Sequence, residues 1–343
     1  MGEKSPTKRI DYIDLAKGVC ILLVVLSHIM TYYKVSFPYD SALKCFRMPL
    51  YFFLSGVFFK QYEGFWGFLK RKINKLVIPF AFFYLMLGIL LPMCLYEWCG
   101  VKMLSYHANY GLVDHLLQVV NDEKFPNAAI WFLVCLFEVN VLFYVIHLVS
   151  RNSKVLLMSV SVAVGAVGMV MSAKGINLPM FIDTTLTAMP FFALGYLLSR
   201  GSDVLSYGWR YERYEWPIVL VCAAVVFVLA YPMDYRANVF ANCYFSAHIS
   251  GIAGTLGVIF IAKKLRRQRI LSYWGRYSIM ILCTHQVVYQ LIHIVIKQFA
   301  LSGWGALAIN LSMTMTLYVL LIPLMRRWLP YVTAQKDVIR IGQ

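Results

Sequence analysis

Charged residues are scarce in this chain of 343 residues, of which Asp, Glu, Lys and Arg together make up 14%. An ordinary soluble domain has about a quarter. Hydrophobic residues make up 60%, and the mean hydropathy is +0.67. Because a water-soluble globule needs more polar surface than these residues supply, the composition excludes one and predicts that much of the apolar surface faces lipid.

Acidic residues are fewer than basic residues. The chain has 16 Asp and Glu against 32 Lys and Arg, which gives a net charge of +16. In a soluble protein such an excess would suggest nucleic acid, but in a membrane protein it is typical of cytoplasmic loops beside anionic lipid. We therefore expect the lipid bilayer as a partner and no nucleic acid.

The sequence also lacks metal-binding and disulfide patterns. Its eight cysteines form no CxxC pair, and no ligand-like spacing surrounds the seven histidines. We therefore predict neither a metal site nor a disulfide framework. Tandem repeats, low-complexity linkers and a recognisable soluble domain are missing too, so we predict one transmembrane domain over residues 1–343.

Apolar stretches of about 20 residues recur along the chain, which is the length that an α-helix needs to cross a bilayer. Only helices and closed barrels satisfy their backbone in hydrocarbon, and barrel strands alternate over about ten residues instead. The sequence therefore predicts an all-α polytopic integral membrane protein with about ten transmembrane helices. The predicted spans cover residues 15–33, 46–59, 76–95, 129–150, 155–172, 181–198, 216–231, 246–262, 277–296 and 304–324.

Lys and Arg are unevenly divided between the two sets of connections that alternate along the chain. With the N-terminus in the cytoplasm, 24 of the 32 fall on the cytoplasmic side and 8 on the opposite side. Cytoplasmic loops carry such an excess, so both termini are predicted to be cytoplasmic, with tails at 1–12 and 326–343. The first apolar run lacks a small-residue cleavage site and is predicted to remain as a span.

The first span carries three ionisable residues, Asp14, Lys17 and His28. Such residues are costly in hydrocarbon and therefore mark functional sites or buried pairs. At about 100° per residue the three project within an arc of about 60°, which makes a polar stripe along one helix face. Alternatively, Lys17 snorkels to the headgroups, Asp14 pairs with it, and His28 is an interfacial or core histidine.

A second polar stripe lies in the ninth predicted span, within an arc of about 100°. We expect that the two histidine-bearing faces can meet. Other polar residues inside predicted spans are more typical of helix packing than of a site. The second stripe consists of Ser278, His285, Gln286, Tyr289 and His293, and the other polar residues are Glu138, Asn140, Asp183, Thr184 and Thr185.

Two predicted cytoplasmic loops are strongly basic. One is KRKINKLVIP, with Lys70, Arg71, Lys72 and Lys75 before a proline, and the other is KKLRRQR at 263–269. Clusters of this kind usually reflect topology and attraction to anionic lipid. They are also what a phosphate-rich cytosolic donor such as coenzyme A would need, because cationic side chains neutralise and orient phosphates.

The long predicted external connection, residues 96–128, is rich in aromatic and polar residues. They can contact a polar or sugar-like substrate, and they can equally form an interfacial aromatic belt. The residues concerned are Trp98, Tyr106, His107, Tyr110, Asp114 and His115.

Five segments, in chain order, resemble motifs of the membrane acyltransferase 3 family. RIDYIDLAKGVCILLVVLSHI resembles its opening helix, in which ten positions separate a basic residue from a histidine, here Lys17 and His28. FRMPLYFFLSGVFF and KINKLVIPF are similar to its second segment and its basic motif. WFLVCLFEVN and LSYWGRYSIMILCTHQ are similar to two later segments. The resemblance extends from residue 9 to about residue 325.

The resemblance implies transfer of an acyl group, usually acetyl from acetyl-CoA, to a hydroxyl of a carbohydrate. A cell-surface polysaccharide or a lipid-linked sugar precursor is the expected acceptor, and the cytoplasmic (inner) membrane is the expected location. In this reading His28 is the general base or a transient acyl carrier. His285 relays a proton or polarises the carbonyl, and Asp14 and Lys17 orient the site or the donor.

The resemblance also implies that Arg71, Lys72 and Lys75 hold the donor's phosphates. The family's motif usually has two arginines where this chain has Lys72 and Lys75, which keeps the charge but loses the bidentate guanidinium fork. Two alternatives remain at this point. Ten helices with polar midplane residues also describe a transporter or exporter, and the histidines of a non-catalytic scaffold would serve packing.

Overall fold

A computed structural model describes residues 11–104, 106–121, 127–240, 244–266 and 268–340. The described chain is all-α apart from one short hairpin, so the predicted fold class is confirmed. The helices are α1 (Asp11–Tyr32), α2 (Asp40–Val57), α3 (Gly64–Cys99), α4 (Leu112–Asn121), α5 (Trp131–Val149), α6 (Lys154–Ala173), α7 (Ile182–Gly201), α8 (Glu215–Leu229), α9 (Tyr244–Leu265), α10 (Arg269–Arg276), α11 (Ser278–Lys297) and α12 (Gly303–Trp328). Strands β1 (Met233–Asp234) and β2 (Val239–Phe240) pair antiparallel between α8 and α9.

Each of the ten predicted spans coincides with a helix. Among the described residues, eight helices are long and apolar enough to cross a membrane, and the chain is a multi-pass membrane protein. The other two predicted spans correspond to α2, with 18 residues, and α8, with 15. Two helices were not predicted: α4 lies in the external connection, and α10 lies just after the second basic loop.

Helix α3 is longer than the span predicted at 76–95 because it also contains the first basic loop. It runs for 36 residues and includes two π-helical segments, Ile73–Val77 and Tyr84–Leu90. Each segment is followed within two residues by a proline, Pro79 or Pro92. Proline removes a backbone donor and clashes with the carbonyl four residues earlier, and a π-turn accommodates both effects without ending the helix.

Glycines bring several helices into backbone contact. A Cβ atom at Gly56 of α2 would lie 2.0 Å from the Phe192 carbonyl oxygen of α7, and one at Gly195 of α7 would lie 2.0 Å from that of Phe53. Helices in lipid associate through such close packing at small residues. The same packing holds α10 against α1, where a Cβ atom at Gly275 would lie 1.8 Å from the Asp14 carbonyl oxygen.

The tail after α12 is packed on the basic end of α3. The side-chain amide of buried Asn74 donates to the Ile339 carbonyl at 2.9 Å, and its oxygen accepts from the backbone N–H groups of Val338 and Ile339, each at 2.9 Å. These bonds use three of the four hydrogen-bonding sites of an amide that is 0% exposed. The predicted N-terminal tail lies largely outside the described residues, as do the last three residues of the C-terminal tail.

Candidate functional site

A cavity of about 430 Å³ lies against the C-terminal half of α1. It is bounded by α1, the first half of α2, the start of α5 and the β1 segment. We call it the histidine cavity, because half-buried His28 lines it. Its other charged lining residues are Lys44, Arg47, Asp234 and Arg236. The first histidine of the predicted stripe therefore faces a cavity inside the protein.

His28 is held against two residues of α11. The centroid of its ring lies 5.1 Å from that of His285, and the side-chain amide nitrogen of Gln286 lies 3.3 Å from its Nδ1 atom. The histidine-bearing faces of α1 and α11 thus meet, and the next pair along them is His293 with the hydroxyl of Tyr33 at 2.9 Å. The contact with Gln286 fixes the ring orientation of His28 and leaves Nε2 as its other polar edge.

His285 is fully buried, and one edge of its ring is bonded to its own helix. Its Nδ1 atom lies 2.9 Å from the Ile281 carbonyl oxygen and 3.0 Å from that of Leu282. Since carbonyls only accept, Nδ1 is the protonated nitrogen and Nε2 carries the lone pair. Nε2 is buried and has no hydrogen-bond partner in the described part of the chain. A buried acceptor left in this state beside a second histidine is a candidate for proton exchange.

A second cavity, of about 400 Å³, lies against the N-terminal half of α1 and the C-terminal half of α2, and it is also lined by α3, α5 and α11. We call it the lysine cavity because Lys17 and Lys75 line it, together with Tyr51 and Ser278. Lys17 precedes His28 by eleven residues on α1, which corresponds to roughly 16 Å along the helix. Leu282 also lines this cavity, three residues before His285. One cavity therefore lies on each side of the level of the histidine pair.

Lys17 and Asp14 have different surroundings, although the sequence places them on one helix face. The Lys17 ammonium lies 4.9 Å from the centroid of the Phe58 ring, and the Tyr51 hydroxyl donates to the Lys17 carbonyl at 3.3 Å. Asp14 lines neither cavity and lies where α1 packs against Gly275 of α10. Lys17 is thus placed to contact a ligand, whereas the backbone of Asp14 lies in the contact between α1 and α10.

Of the three predicted phosphate-binding residues, the structure places Lys75 in the lysine cavity. There it forms an ion pair with Asp337 at 3.1 Å and donates to the Ala334 carbonyl at 2.8 Å. Arg71 and Lys72 do not line either cavity. Arg71 lies 3.4 Å from Glu63, with its guanidinium 4.3 Å from the Tyr62 ring centroid. The Lys72 ammonium lies 5.5 Å from the centroid of the Phe68 ring.

The second basic loop is partly used for internal pairing. Lys263 is 3% exposed and forms an ion pair at 2.6 Å with Glu215, which is 0% exposed and also accepts from the Trp209 indole at 2.7 Å. Neighbouring Lys264 pairs with the other carboxylate oxygen of Glu215 at 3.1 Å. These two lysines therefore stabilise the α8 and α9 ends. Arg267 of this loop lies outside the described residues.

The remaining polar candidates pack between helices, as their positions inside predicted spans suggested. The Thr185 hydroxyl donates to Glu138 at 2.8 Å, Asn140 donates to the Ser55 hydroxyl of α2 at 3.3 Å, and Thr184 donates to the Tyr235 carbonyl at 2.7 Å. The described aromatic residues of the external connection line neither cavity. Tyr106 and His115 stack on each other there, with ring centroids 5.1 Å apart.

Arg47 was not among the predicted site residues: it begins the span predicted at 46–59 and was only counted among the eight basic residues of the external side. The structure places Arg47 inside α2, where it is 9% exposed and lines the histidine cavity. Its Nη1 atom donates to the Leu23 carbonyl at 2.9 Å. The available signal was its position at the start of a long apolar run, where a charged residue needs a buried partner. Arg236 and Asp234 are in the hairpin segment, and no sequence pattern marked them.

The fold and its two cavities define a polytopic membrane protein that can receive one ligand on each side of the pair formed by His28 and His285. Among the described residues, no group of three or more His, Cys, Asp or Glu could hold a metal ion. A family model for the acyltransferase domain matches residues 10–326. The chain therefore belongs to the acyltransferase 3 family and is a membrane acyltransferase, which favours acyl transfer over the transporter and scaffold alternatives. Comparisons with curated proteins and with solved structures find no match.

Proposed function

We propose that this acyltransferase moves an acetyl group from acetyl-CoA to a hydroxyl of a carbohydrate, with His28 at the reacting centre. The observation that carries the proposal is the position of His28, which lines one cavity and contacts His285 close to the level where the other cavity begins. Two reagents can then approach the same imidazole from opposite faces of the membrane. A cell-surface polysaccharide unit or a lipid-linked sugar is the proposed acceptor, and the cytoplasmic membrane is the proposed location.

The lysine cavity is the proposed donor site. Lys17 and Lys75 supply two ammonium groups there, and Arg71 and Lys72 lie within one turn of Lys75 on α3 and add positive charge beside it. Cationic side chains neutralise and orient phosphates. A pantetheine arm, on the order of 15 to 20 Å long, then extends over a distance similar to that between Lys17 and His28.

In the proposed reaction, His28 removes the proton of the acceptor hydroxyl while the hydroxyl oxygen attacks the thioester carbonyl carbon. The tetrahedral intermediate collapses, the carbon–sulfur bond breaks, and the imidazolium returns the proton to the departing thiolate. The products are an O-acetyl ester and free CoA thiol. Positioned general bases contribute about 10²- to 10⁴-fold to such reactions. A transient acyl-imidazole at His28 is the alternative route to the same products.

Gln286 and His285 are the proposed positioning residues. The Gln286 side-chain amide can donate its N–H to an unprotonated Nδ1 of His28. With its nitrogen and oxygen exchanged by rotation of the amide, it can instead accept a hydrogen bond from a protonated Nδ1. The second arrangement leaves on Nε2 the lone pair that a general base requires. His285 keeps its own proton on Nδ1, which anchors its ring to its own helix, and that ring packs against the ring of His28.

The test is acetyl transfer by purified full-length protein in lipid nanodiscs, measured as free CoA thiol and as acetylated product. The acceptor is the pooled glycan and glycolipid extract of a strain that lacks the protein. We expect His28→Gln to lower both signals by about 10²-fold or more. His147→Gln is the matched control, because His147 bonds Gln61 and Tyr196 and lines neither cavity. Near-normal transfer by folded His28→Gln would contradict the mechanism.

A further inference from the structure

We infer that the acceptor is an anionic saccharide, whose carboxylate or phosphate group binds to Arg47 in the histidine cavity while its hydroxyl reaches His28. The inference rests on the proposed function and names the class of acceptor that the cavity is built to hold. It depends on the charge balance of the cavity and on the surroundings of one guanidinium.

Cationic side chains outnumber carboxylates in the lining of the histidine cavity. Lys44, Arg47 and Arg236 line it, together with one carboxylate, Asp234. Lys44 forms an ion pair with Asp40, four residues earlier on α2. The Asp234 carboxylate accepts from the backbone N–H groups of its own turn, that of Arg236 at 2.8 Å being the shorter contact. Both carboxylates are therefore committed to other groups.

Arg47 is the buried cation of this cavity. It is 9% exposed, and within the described part of the chain no carboxylate oxygen lies within 4.0 Å of its guanidinium. The hydrogen bond to the Leu23 carbonyl occupies one of its five N–H groups. Asp40 and Asp234 act on the guanidinium electrostatically from beyond that distance. A buried charge without a directly paired counter-ion is costly, so such residues are retained where an ion or ligand completes the pair.

The backbone around Arg47 holds it in place. The Cys20 thiol of α1 donates to the Arg47 carbonyl at 3.0 Å, and the Leu23 carbonyl that binds the guanidinium is on the same helix. A fixed guanidinium binds carboxylate and phosphate oxygens through two parallel charge-assisted hydrogen bonds, whereas a neutral sugar offers it no opposing charge. Arg47 is thus preorganised for a planar or tetrahedral oxyanion.

The anion is expected to arrive with the acceptor and not with the donor. The donor's phosphates have their own cations, Lys17 and Lys75, in the other cavity. At about 430 Å³ the histidine cavity lies within the range of small-molecule sites, about 300 to 1,000 Å³, and can hold a sugar unit and its acidic substituent. In the predicted topology it belongs to the external half of the membrane, where envelope glycans are completed.

The first experiment asks which molecules lose acetyl groups when the protein is deleted. Glycans and glycolipids of the deletion strain and the wild type are separated by anion exchange, and acetyl content is measured in each fraction by mass spectrometry. We expect the loss in the retained, acidic fraction. Hydrofluoric acid, which cleaves phosphodiesters, then distinguishes the two sources of charge: a phosphate-bearing acceptor loses its retention, and a uronate-bearing acceptor keeps it.

The second experiment measures transfer to that acidic fraction by purified variants in nanodiscs. Arg47→Gln is expected to raise the KM for the acceptor by about 30-fold or more, because it removes one partner of a buried charge pair. Arg47→Lys, which keeps the charge, is expected to raise this KM by less. Arg213→Gln is the control, because Arg213 lines neither cavity and contacts the neighbouring ring of Tyr214.

The outcomes separate this inference from the proposed function. If the deletion strain loses acetyl groups from none of the fractions, the proposed function itself is overturned. Acetyl groups lost only from the neutral fraction would leave acetyl transfer standing and overturn the anionic acceptor, whether or not the Arg47 variants fold. An unchanged acceptor KM in folded Arg47→Gln, with or without a fall in kcat, would also overturn the role assigned to Arg47.

Discussion

The rings of His28 and His285 lie with centroids 5.1 Å apart, although they come from opposite ends of the chain. One lines the histidine cavity, and the other is anchored to its own helix through Nδ1. The contact joins the first and eleventh helices at the level between the two cavities. It therefore gives the proposed acetyl transfer a location, where a base on one helix is oriented by residues of another.

The orienting role of His285 predicts a specific kinetic effect. His285→Asn removes the ring contact with His28 and is expected to lower kcat by up to about tenfold, because aromatic ring pairs contribute about 0.5 to 1.5 kcal/mol. The KM for acetyl-CoA should stay unchanged, because the donor's phosphates bind elsewhere. Steady-state transfer in nanodiscs measures both quantities. A raised donor KM at constant kcat would show that His285 acts in donor binding instead.

Asp337 is expected to compete with the donor for Lys75. The ion pair spans 3.1 Å with both side chains more than one-third exposed, and exposed pairs contribute about 0 to 1 kcal/mol. Asp337→Asn should therefore lower the KM for acetyl-CoA by up to about fivefold. The same substitution in a Lys75→Gln background should have no effect on KM. A donor KM that responds equally in both backgrounds would place the donor's phosphates away from Lys75.

Asn74 should hold the C-terminal tail in place. Asn74→Ala removes three hydrogen bonds and leaves backbone groups of Val338 and Ile339 without these partners. We expect a loss of about 1 to 3 kcal/mol in the free energy that holds the tail on α3. Limited proteolysis of the full chain should then cut the tail faster in the variant. Equal cleavage rates would show that the tail is held by other contacts.

Gly275 is expected to tolerate no side chain. A Cβ atom there would lie 1.8 Å from the Asp14 carbonyl oxygen, so Gly275→Ala must push α10 away from α1. Overpacking of this kind costs about 1 to 3 kcal/mol. Gly305→Ala is the matched control, because a Cβ atom at Gly305 meets nothing within 4 Å. Thermal unfolding in the same detergent should show a lower midpoint for Gly275→Ala alone, and equal midpoints would contradict the packing.

The sequence predicted the spans well because apolar length and helical periodicity are local properties. All ten predicted segments are helical, and the arcs on the first and ninth spans gave the faces that meet at His28 and His285. Helix α10 was not foreseen, since its eight residues, Arg269–Arg276, are too few and too polar to resemble a span. The two π-helical segments of α3 were not foreseen either.

Arg47 and Lys75 show why the site was only partly predictable. Charge counting placed Arg47 with the basic residues of the external side, because it tallies Lys and Arg and cannot distinguish a side chain in water from one facing a cavity between helices. Lys75 was selected for its charge, but its partner Asp337 is distant in sequence and no local pattern joins them. The separation of Lys75 from Arg71 and Lys72 likewise depends on the direction of each side chain around α3.

The central claim is that donor and acceptor reach His28 from opposite faces of the membrane, and sealed vesicles of known orientation test it most directly. Vesicles containing the full chain and its acceptor are prepared with the cytoplasmic face either outward or inward, and acetyl-CoA, which does not cross the bilayer, is added outside. The account predicts acetylated product and free CoA thiol only when the cytoplasmic face is outward. Equal transfer in intact vesicles of the opposite orientation would contradict it.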